Sequence, residues 1–247
     1  MSTSNIPKDI LEKNIPLRTI KSFVKRSGRV TRSQQKALDE YSSIYLLDIN
    51  NSWDFQKIFG NNNKVVLEIG FGDGDNVCSM AEKYRDVNFI GVEVHEAGVG
   101  RALNLAHTKD LTNIRFCNKD IVDILDNCIV NNSLDKVQIF FPDPWHKSAH
   151  HKRRLIQVKF VNLLISKLTK SGLIHIATDW ENYYEHIEEV FTSLDNKFTK
   201  QYIKNQRIFP ENIYLDNIIL NRFETRFERR GIKLGHNIHD LVYADLK

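Results

Sequence analysis

The sequence predicts an α/β domain in which helices cover both faces of a doubly wound, mostly parallel sheet. Short apolar runs alternate along the chain with stretches of helical periodicity, which is the pattern of successive β-α-β units. The first run, Val65–Ile69, is apolar except for Glu68, as expected for a strand buried on both faces. Three glycines at alternate positions, Gly70, Gly72 and Gly74, follow it and can form a turn that a ligand approaches closely. The same stretch also suits a tight strand-to-helix turn that holds no ligand.

Length and composition indicate one core-forming domain with an extension, or at most two small domains. The chain has 247 residues, of which 41% are hydrophobic and 27% charged. The formal net charge of +4 is mild, so only the distribution of charge can argue for a nucleic-acid partner. The three cysteines show neither zinc spacing nor a disulfide framework, which favours a reducing compartment. No signal-like segment and no apolar run of membrane-spanning length occur, so we expect a cytoplasmic protein without a membrane partner. The nine histidines show no H-x-x-x-H pair with a nearby carboxylate, and we expect no metal.

We expect two parts, a basic N-terminal arm with a helix over residues 1–60 and the sheet domain over residues 61–247. Between Arg18 and Lys36 there are seven basic residues and no acid. Such a block is either a solvated tail or an arm that contacts phosphates, and the pattern leaves both interpretations open. Apolar residues at helical spacing predict a helix over Gln34–Leu47.

The remaining elements follow from periodicity and from turn residues. Further strands are predicted over Asn88–Val94, Asn113–Cys117, Lys136–Phe141 and Leu173–Thr178, with an edge strand over Phe198–Ile203. Helices are predicted over Asp75–Tyr84, Glu96–Thr108, Ile121–Cys128, Leu155–Leu168 and Glu181–Leu194. Lys170-Ser171-Gly172 is expected to end a helix, Asn205–Asn221 to form loops, and His236–Tyr243 to pack against the core.

Acidic residues stand at the carboxyl ends of five successive predicted strands: Glu68, Glu93, Asp120, Asp143 and Asp179. Open α/β sheets bind their ligands at this edge. An acid-lined cleft beside a glycine turn fits a cationic nucleoside such as S-adenosylmethionine. Glu93 is where such folds hold ribose hydroxyls, although a surface acid beside a helix start is the alternative. Asp120 could accept a hydrogen bond from the amine of a base or could cap the next helix, and the residues alone do not separate these roles.

The most unusual stretch runs from Pro142 to Arg154. Pro142 and Pro144 fix the backbone on both sides of Asp143, and Trp145 offers a flat face to a base. Four cations and three histidines follow within nine residues, which favours an anion-binding site. The alternative is a proline turn followed by a basic helix start.

Several of these motifs resemble those of bacterial tRNA (guanine-N7-)-methyltransferases. They are the glycine turn, Pro142-Asp143-Pro144-Trp145 with the basic residues after it, Thr178-Asp179-Trp180, Gly28-Arg29-Val30-Thr31 and Thr225-Arg226-Phe227-Glu228-Arg229. The resemblance extends from about Arg18 to Tyr243, and the Pro-Asp-Pro-Trp block is its most specific part. Ser33 and Arg226 depart from the pattern, where many relatives are expected to carry glycine and lysine.

The resemblance implies a Rossmann-like class I methyltransferase that transfers a methyl group from S-adenosylmethionine to N7 of a guanine in the tRNA variable loop. It implies a methyl-donor site formed by Glu68, Gly70, Gly72, Gly74, Glu93, Asp120 and Asp143. It implies contacts to the guanine or its tRNA from Lys147, Asp179, Thr225, Arg226, Phe227 and Glu228. Asp143 is the family's proposed catalytic residue.

Guanine N7 carries a lone pair and no proton, so this reaction needs no base to create the nucleophile. We therefore expect Asp143 to orient the purine and stabilise its developing charge. Two other functions remain open, methylation of another target such as an exocyclic amine and non-catalytic RNA binding. Glu68 and the glycine spacing disfavour a dinucleotide dehydrogenase. We expect tRNA as the partner, no obligatory protein partner, and a monomer.

Overall fold

The structure is a computed structural model that describes residues 22–23, 29–194, 199–204, 214–215 and 218–244. Residues 1–21 and 24–28, which include most of the basic arm, lie outside these ranges. The helices are α1 Arg32–Tyr45, α2 Phe55–Phe59, α3 Asp75–Lys83, α4 Glu96–Thr108, α5 Ile121–Asn127, α6 Val158–Lys167, α7 Glu181–Thr192 and α8 Arg226–Lys233, with a 3₁₀ helix over Ser148–Arg153. The strands are β1 Val65–Ile69, β2 Asn88–Val92, β3 Ile114–Cys117, β4 Leu134–Phe140, β5 Leu168–Thr178, β6 Thr199–Lys204, β7 Tyr214–Leu215, β8 Ile218–Ile219 and β9 His239–Ala244.

In the part of the chain that the structure describes, seven strands form one sheet in the order β3-β2-β1-β4-β5-β9-β6. The first five strands in this order are parallel, and β9 is antiparallel to both of its neighbours. The strand order reverses between β1 and β4: β2 and β3 lie on one side of β1, and β4 and β5 lie on the other. Leu67 of β1 accordingly pairs with Ile90 of β2 and with Val137 of β4. The predicted α/β fold with a doubly wound, mostly parallel sheet is thus confirmed.

The two faces of the sheet carry separate apolar clusters because alternate residues of a strand point in opposite directions. Val65, Leu67 and Ile69 pack in a cluster with side chains from α5, α6 and α7. Val66 packs on the other face with side chains from α1, α3 and α4. Helices therefore cover both faces, and the carboxyl ends of the parallel strands stay accessible between them.

Helix α1 packs on the same core as the sheet. Thr31 caps it, and Gln34 completes a capping box. Gly100 of α4 allows close approach, since a Cβ there would lie 2.7 Å from the Gln34 carbonyl oxygen. After the helix, Leu47 N–H donates to the Phe116 carbonyl of β3 at 2.8 Å. The division near residue 60 stays a prediction, and α1 lies against the domain that follows it.

Two element boundaries differ from the sequence prediction. Strand β5 begins at Leu168, so Lys170-Ser171-Gly172 lies within a strand instead of ending a helix. The pairing with β4 shifts register there, and a Cβ on Gly172 would lie 2.8 Å from Leu168 Cβ, so this glycine serves a close approach inside an irregular strand. Helix α6 begins at Val158 instead of Leu155, because Ile156 N–H is held in an extended segment by the Tyr183 hydroxyl of α7 at 3.2 Å.

The region expected to form loops, Asn205–Asn221, contains the short antiparallel pair β7 and β8 in its described part. Helix α8 was not predicted as a helix, because charged and apolar residues alternate irregularly there. Thr225 caps it by accepting from Glu228 N–H at 3.1 Å.

Candidate active site

The glycine turn after β1 adopts left-handed backbone at each of its glycines. The φ angles are +73° at Gly70, +59° at Gly72 and +81° at Gly74, a region that other residues rarely adopt. A Cβ on Gly74 would lie 2.6 Å from the Ala102 Cβ of α4. Gly74 therefore sets the start of α3 against α4, whereas Gly70 and Gly72 face the ligand edge.

A cavity of about 360 Å³ opens beside this turn at the carboxyl ends of the parallel strands. Its volume is in the range of small-molecule sites. The predicted donor-site residues that line it are Gly70, Gly72, Glu93, Asp120 and Asp143. Ser22, Phe23, Phe140, Phe141, Arg226 and Phe227 also line it.

Glu93 is fixed by backbone N–H groups of the glycine turn and of the two residues that follow Glu93 itself. Its carboxylate accepts from Gly72 N–H at 2.9 Å, from Val94 N–H at 2.7 Å and from His95 N–H at 3.0 Å. Gly98 at the start of α4 presses on the same turn, since a Cβ there would lie 2.2 Å from the Gly72 carbonyl oxygen. The acid after β2 is thus pre-oriented at the glycine turn.

Asp120 lies where it can serve both roles that the sequence left open, capping of the next helix and contact with a base. Its side chain caps α5 by accepting from Val122 N–H at 3.2 Å, and the residue also lines the cavity. The cap is observed, and contact with a base stays a prediction.

Asp143 lies exposed at the rim of the cavity in a constrained loop. Phe141 and Trp145, on either side of the Pro-Asp-Pro run, have φ angles of +53° and +49°, which is uncommon for residues other than glycine. The Trp145 indole N–H donates to the Ser22 carbonyl at 3.1 Å, and the Arg153 guanidinium lies 4.2 Å from the ring centroid. The loop is therefore held from several directions, which restricts where the Asp143 carboxylate can lie.

Glu68 lies behind the glycine turn and does not line the main cavity. It is 3% exposed and lines a neighbouring cavity of about 30 Å³. Its carboxylate accepts from Asn76 Nδ2–H at 2.6 Å and from Gln138 Nε2–H at 2.5 Å. Burial raises the pKa of Glu68 to about 7, although the hydrogen bonds from the Asn76 and Gln138 amides and the charge of Lys136 lower it. Gly70 and Gly72 line both cavities, so the glycine turn lies between Glu68 and the main cavity.

The start of α8 covers the outer side of both cavities. Arg226 and Phe227 line both cavities, and Thr225 lines the smaller one. The Arg226 guanidinium lies 3.0 Å from the Asp73 carboxylate, which belongs to the glycine turn. Three of the four predicted substrate residues in this motif are therefore brought to the site.

Glu228 differs from the expectation of a residue that contacts substrate directly. It is 0% exposed, and its carboxylate accepts two hydrogen bonds from the Arg222 guanidinium. Arg222 also donates to both carboxylate oxygens of Asp240, at 2.7 Å each. The Asp240 carboxylate further accepts from His175 Nε2–H at 2.8 Å. These four residues form a buried ionic cluster that links α8 to strands β5 and β9.

The contacts within the buried ionic cluster determine the protonation states of Arg222, Asp240 and His175. Burial lowers the pKa of Arg222, but its bonds to Asp240 and Glu228 outweigh burial and leave the pKa raised. Burial raises the pKa of Asp240, but Arg222 and His175 outweigh it and leave the pKa lowered. Burial lowers the pKa of His175 to about 4, so this imidazole is neutral near pH 7. The cluster could not be predicted from the sequence, because its charged residues stand isolated in segments without clear periodicity.

Lys147 and Asp179 were predicted to contact the substrate, and neither residue lines either cavity. The Asp179 carboxylate accepts from His236 Nδ1–H at 3.0 Å, and a Cβ on Gly231 would lie 2.5 Å from its Oδ2 atom. Lys147 is exposed just before the 3₁₀ helix. Arg154, which the sequence suggested for an anion site, is 3% exposed and donates to the Pro144 carbonyl at 3.0 Å. It thus supports the Pro-Asp-Pro loop from inside.

Within the described ranges, no group of three or more His, Cys, Asp or Glu side chains could hold a metal ion. None of the helices described is both long and apolar enough to cross a bilayer.

A family model described as a putative methyltransferase matches residues 62–241. The chain is 45% identical over 232 residues to the tRNA (guanine-N(7)-)-methyltransferase of Pseudoalteromonas translucida, which covers 94% of this chain and 92% of the relative. It is 42% identical over 248 residues to the protein of that name from Escherichia coli, and the match covers 100% of both.

Solved structures agree on the fold. The 16S rRNA methyltransferase KamB aligns with a TM-score of 0.54 and 11% identity, covering 82% of this chain and 98% of that chain. The 30S ribosomal A1408 methyltransferase from an uncultured bacterium aligns with a TM-score of 0.50 and 15% identity, covering 81% and 95%. With the glycine turn, the strand-end acids and the match to full-length relatives in place, the chain belongs to the bacterial tRNA (guanine-N(7)-)-methyltransferase family.

Proposed function

We propose that the protein transfers a methyl group from S-adenosylmethionine to N7 of a guanine in tRNA. The observation that carries the proposal is the cavity in which Glu93, Asp120 and Asp143 meet the glycine turn, with cationic Arg226 at its outer side. The relatives named above support the substrate and the methylated atom.

The residues of the cavity fit S-adenosylmethionine by charge and by hydrogen bonding. Its sulfonium centre carries the electrophilic methyl group. Glu93 retains one acceptor site for a ribose hydroxyl, because Oε1 already accepts two hydrogen bonds and Oε2 accepts one. Asp120 faces the cavity for the amine of the base, and the negative charge of Asp143 and Glu68 favours a positively charged donor.

Asp143 has the geometry of an orienting group. Asp143 does not have to act as a base, because guanine N7 carries a lone pair and no proton. A carboxylate at the cavity rim stabilises the purine as it gains positive charge, and the constrained loop reduces its reorganisation during reaction.

The RNA side of the site would be formed by exposed cations around the cavity. Arg226 is 66% exposed at its side chain, and Lys147 is exposed on the neighbouring loop. Thr225 and Phe227 add a hydroxyl and an aromatic face beside them. Contacts to phosphates are expected to make tRNA binding salt-dependent.

The test is incubation with labelled methyl donor and unmodified tRNA, followed by nucleoside analysis. We expect 7-methylguanosine as the labelled product, whereas label on an exocyclic amine would refute the proposed target atom. Asp143→Asn should lower turnover by about 100-fold or more while donor binding persists. Asp126→Asn, an exposed acid on α5 away from the cavity, is the matched control. Full turnover of Asp143→Asn with unchanged donor binding would contradict the role given to Asp143.

A further inference from the structure

The face of β4, β5 and β9 is covered by the segment that leads into α8. Leu220 packs in a small apolar cluster with Leu173, Val242 and Ala244 from β5 and β9. Arg222, two residues later, is locked in the buried ionic cluster. The entrance segment, defined as residues 220–225, thus decides where α8 and its cavity-lining residues lie.

Asn76 joins this entrance segment to the acid of β1. It lies in the first turn of α3 and is 2% exposed. Its Nδ2–H donates to the Glu68 carboxylate at 2.6 Å, and its Oδ1 accepts from Phe223 N–H at 2.7 Å. A carboxylate only accepts and a backbone N–H only donates, so both partners require the same orientation of the amide.

The bond to Phe223 lies four residues before Phe227. Phe227 lines both cavities, and a Cβ on Gly72 would be in ordinary contact with its ring at 3.9 Å. Between these two points the chain passes through the Thr225 cap, which fixes the start of α8. A shift of Phe223 would therefore move the residues that face the donor and the RNA.

We propose that Asn76 is a positioning residue that holds the entrance segment to Glu68, so that the donor-side acid and the RNA-side helix act as one hydrogen-bonded unit. The proposal rests on the proposed function for its kinetic consequences. Its structural content concerns the order of the entrance segment alone.

Gln138 provides a matched comparison. It donates to the same Glu68 oxygen from β4 at 2.5 Å, and no bond from it to the entrance segment is observed among the described residues. Asn76→Leu removes the bond to Glu68 and the bond to Phe223, whereas Gln138→Leu removes only a bond to Glu68. The difference between the two variants isolates the contribution of the Phe223 bond.

Hydrogen exchange without ligands tests the structural step. In Asn76→Leu, the amides of residues 222–227 should exchange about tenfold faster, as expected for the loss of one buried hydrogen bond. In Gln138→Leu they should stay within about twofold of the unmodified protein. Asn76→Asp keeps the acceptor for Phe223 N–H, and its second oxygen can share one proton with the Glu68 carboxylate, so the segment should stay protected. If Asn76→Leu does not fold, Asn76→Ala, which removes the same two bonds with less bulk, takes its place in the comparison. Unchanged exchange in Asn76→Leu, or equal acceleration in all three variants, would overturn the proposal.

Steady-state kinetics test the functional step. Asn76→Leu should raise KM for tRNA by about tenfold, with a smaller change in kcat, whereas Gln138→Leu should weaken donor binding and leave KM for tRNA within about twofold. Equal changes in KM for tRNA would mean that Asn76 acts only through Glu68, which contradicts the proposal. If the unmodified protein does not methylate tRNA, the proposed function fails, and the exchange comparison still decides the role of Asn76.

Discussion

Replacing Arg222 by methionine should destabilise the protein by about 3–5 kcal/mol near neutral pH, because it leaves two buried carboxylates without their cation. Arg222 is 3% exposed, Asp240 is 2% exposed and Glu228 is 0% exposed. The guanidinium makes a bidentate pair with Asp240 at 2.7 Å and a second pair with Glu228. Methionine fills much of the volume, so the loss reports mainly on charge.

The magnitude follows from the number and burial of these pairs. A pair of charges about 4 Å apart interacts by roughly 4 kcal/mol at an effective dielectric constant of about 20. The desolvation cost of each carboxylate is then no longer offset, which is the usual reason why breaking a buried pair is costly. For a domain of this size, such a loss lowers Tm on the order of 10 °C.

The loss should depend on pH with a defined sign. In the unmodified protein the pKa of Asp240 is lowered, so its contribution to stability is present above its unfolded pKa and is lost as pH falls. Without Arg222, burial dominates and Asp240 favours its protonated form. The difference in stability between the two proteins should therefore widen as pH rises from about 4 to 7.

Urea unfolding at several pH values measures this difference. Arg229→Met is the matched control, because Arg229 lies exposed on α8 and its contact with Glu224 is 3.5 Å long. It should cost less than about 1 kcal/mol. A loss below about 1 kcal/mol in Arg222→Met, or a loss that does not vary with pH, would refute the reasoning.

Three further predictions concern the site. Burial raises the pKa of Glu68 to about 7, and a cationic donor favours its carboxylate. Donor affinity, measured by calorimetry, should therefore increase as pH rises toward 7, by up to about tenfold per pH unit. Glu68→Gln should flatten this profile. A Cβ on Gly98 would lie 2.2 Å from the Gly72 carbonyl oxygen, so Gly98→Ala should displace the turn and weaken donor binding by about tenfold or more, and unchanged affinity would contradict this role. Phe227→Ala should raise KM for tRNA and shift Tm by less than about 3 °C, since Phe227 is 49% exposed, whereas Leu234→Ala, at the other end of α8 and 61% exposed, should change neither.

Most of the parallel sheet and its helices could be predicted from local pattern. Strand Val65–Ile69 and helix Glu96–Thr108 have the predicted bounds, because apolar runs and helical periodicity reflect burial directly. Gly172 was misinterpreted, because a glycine after a helix and a glycine at an irregular strand pairing look alike in sequence. Only the contacts of Gly172 with β4 and Leu168 distinguish them.

The site was predictable where topology alone brings residues together. Glu93, Asp120 and Asp143 each follow a parallel strand, and such strands end at one edge. Glu228 could not be assigned in this way, because its burial depends on Arg222, which is six residues away in a segment without periodicity. Exposed and buried charges in such a motif have the same local sequence signal.

Strand β9 lies between β5 and β6, although it follows both in the chain. During synthesis, β5 therefore has no partner on that side until residues 239–244 have left the ribosome. An unpaired, largely apolar edge is a template for pairing with other chains. The nascent protein should consequently be most prone to aggregation until β9 has paired with β5, and its yield should depend on chaperones that shield this edge.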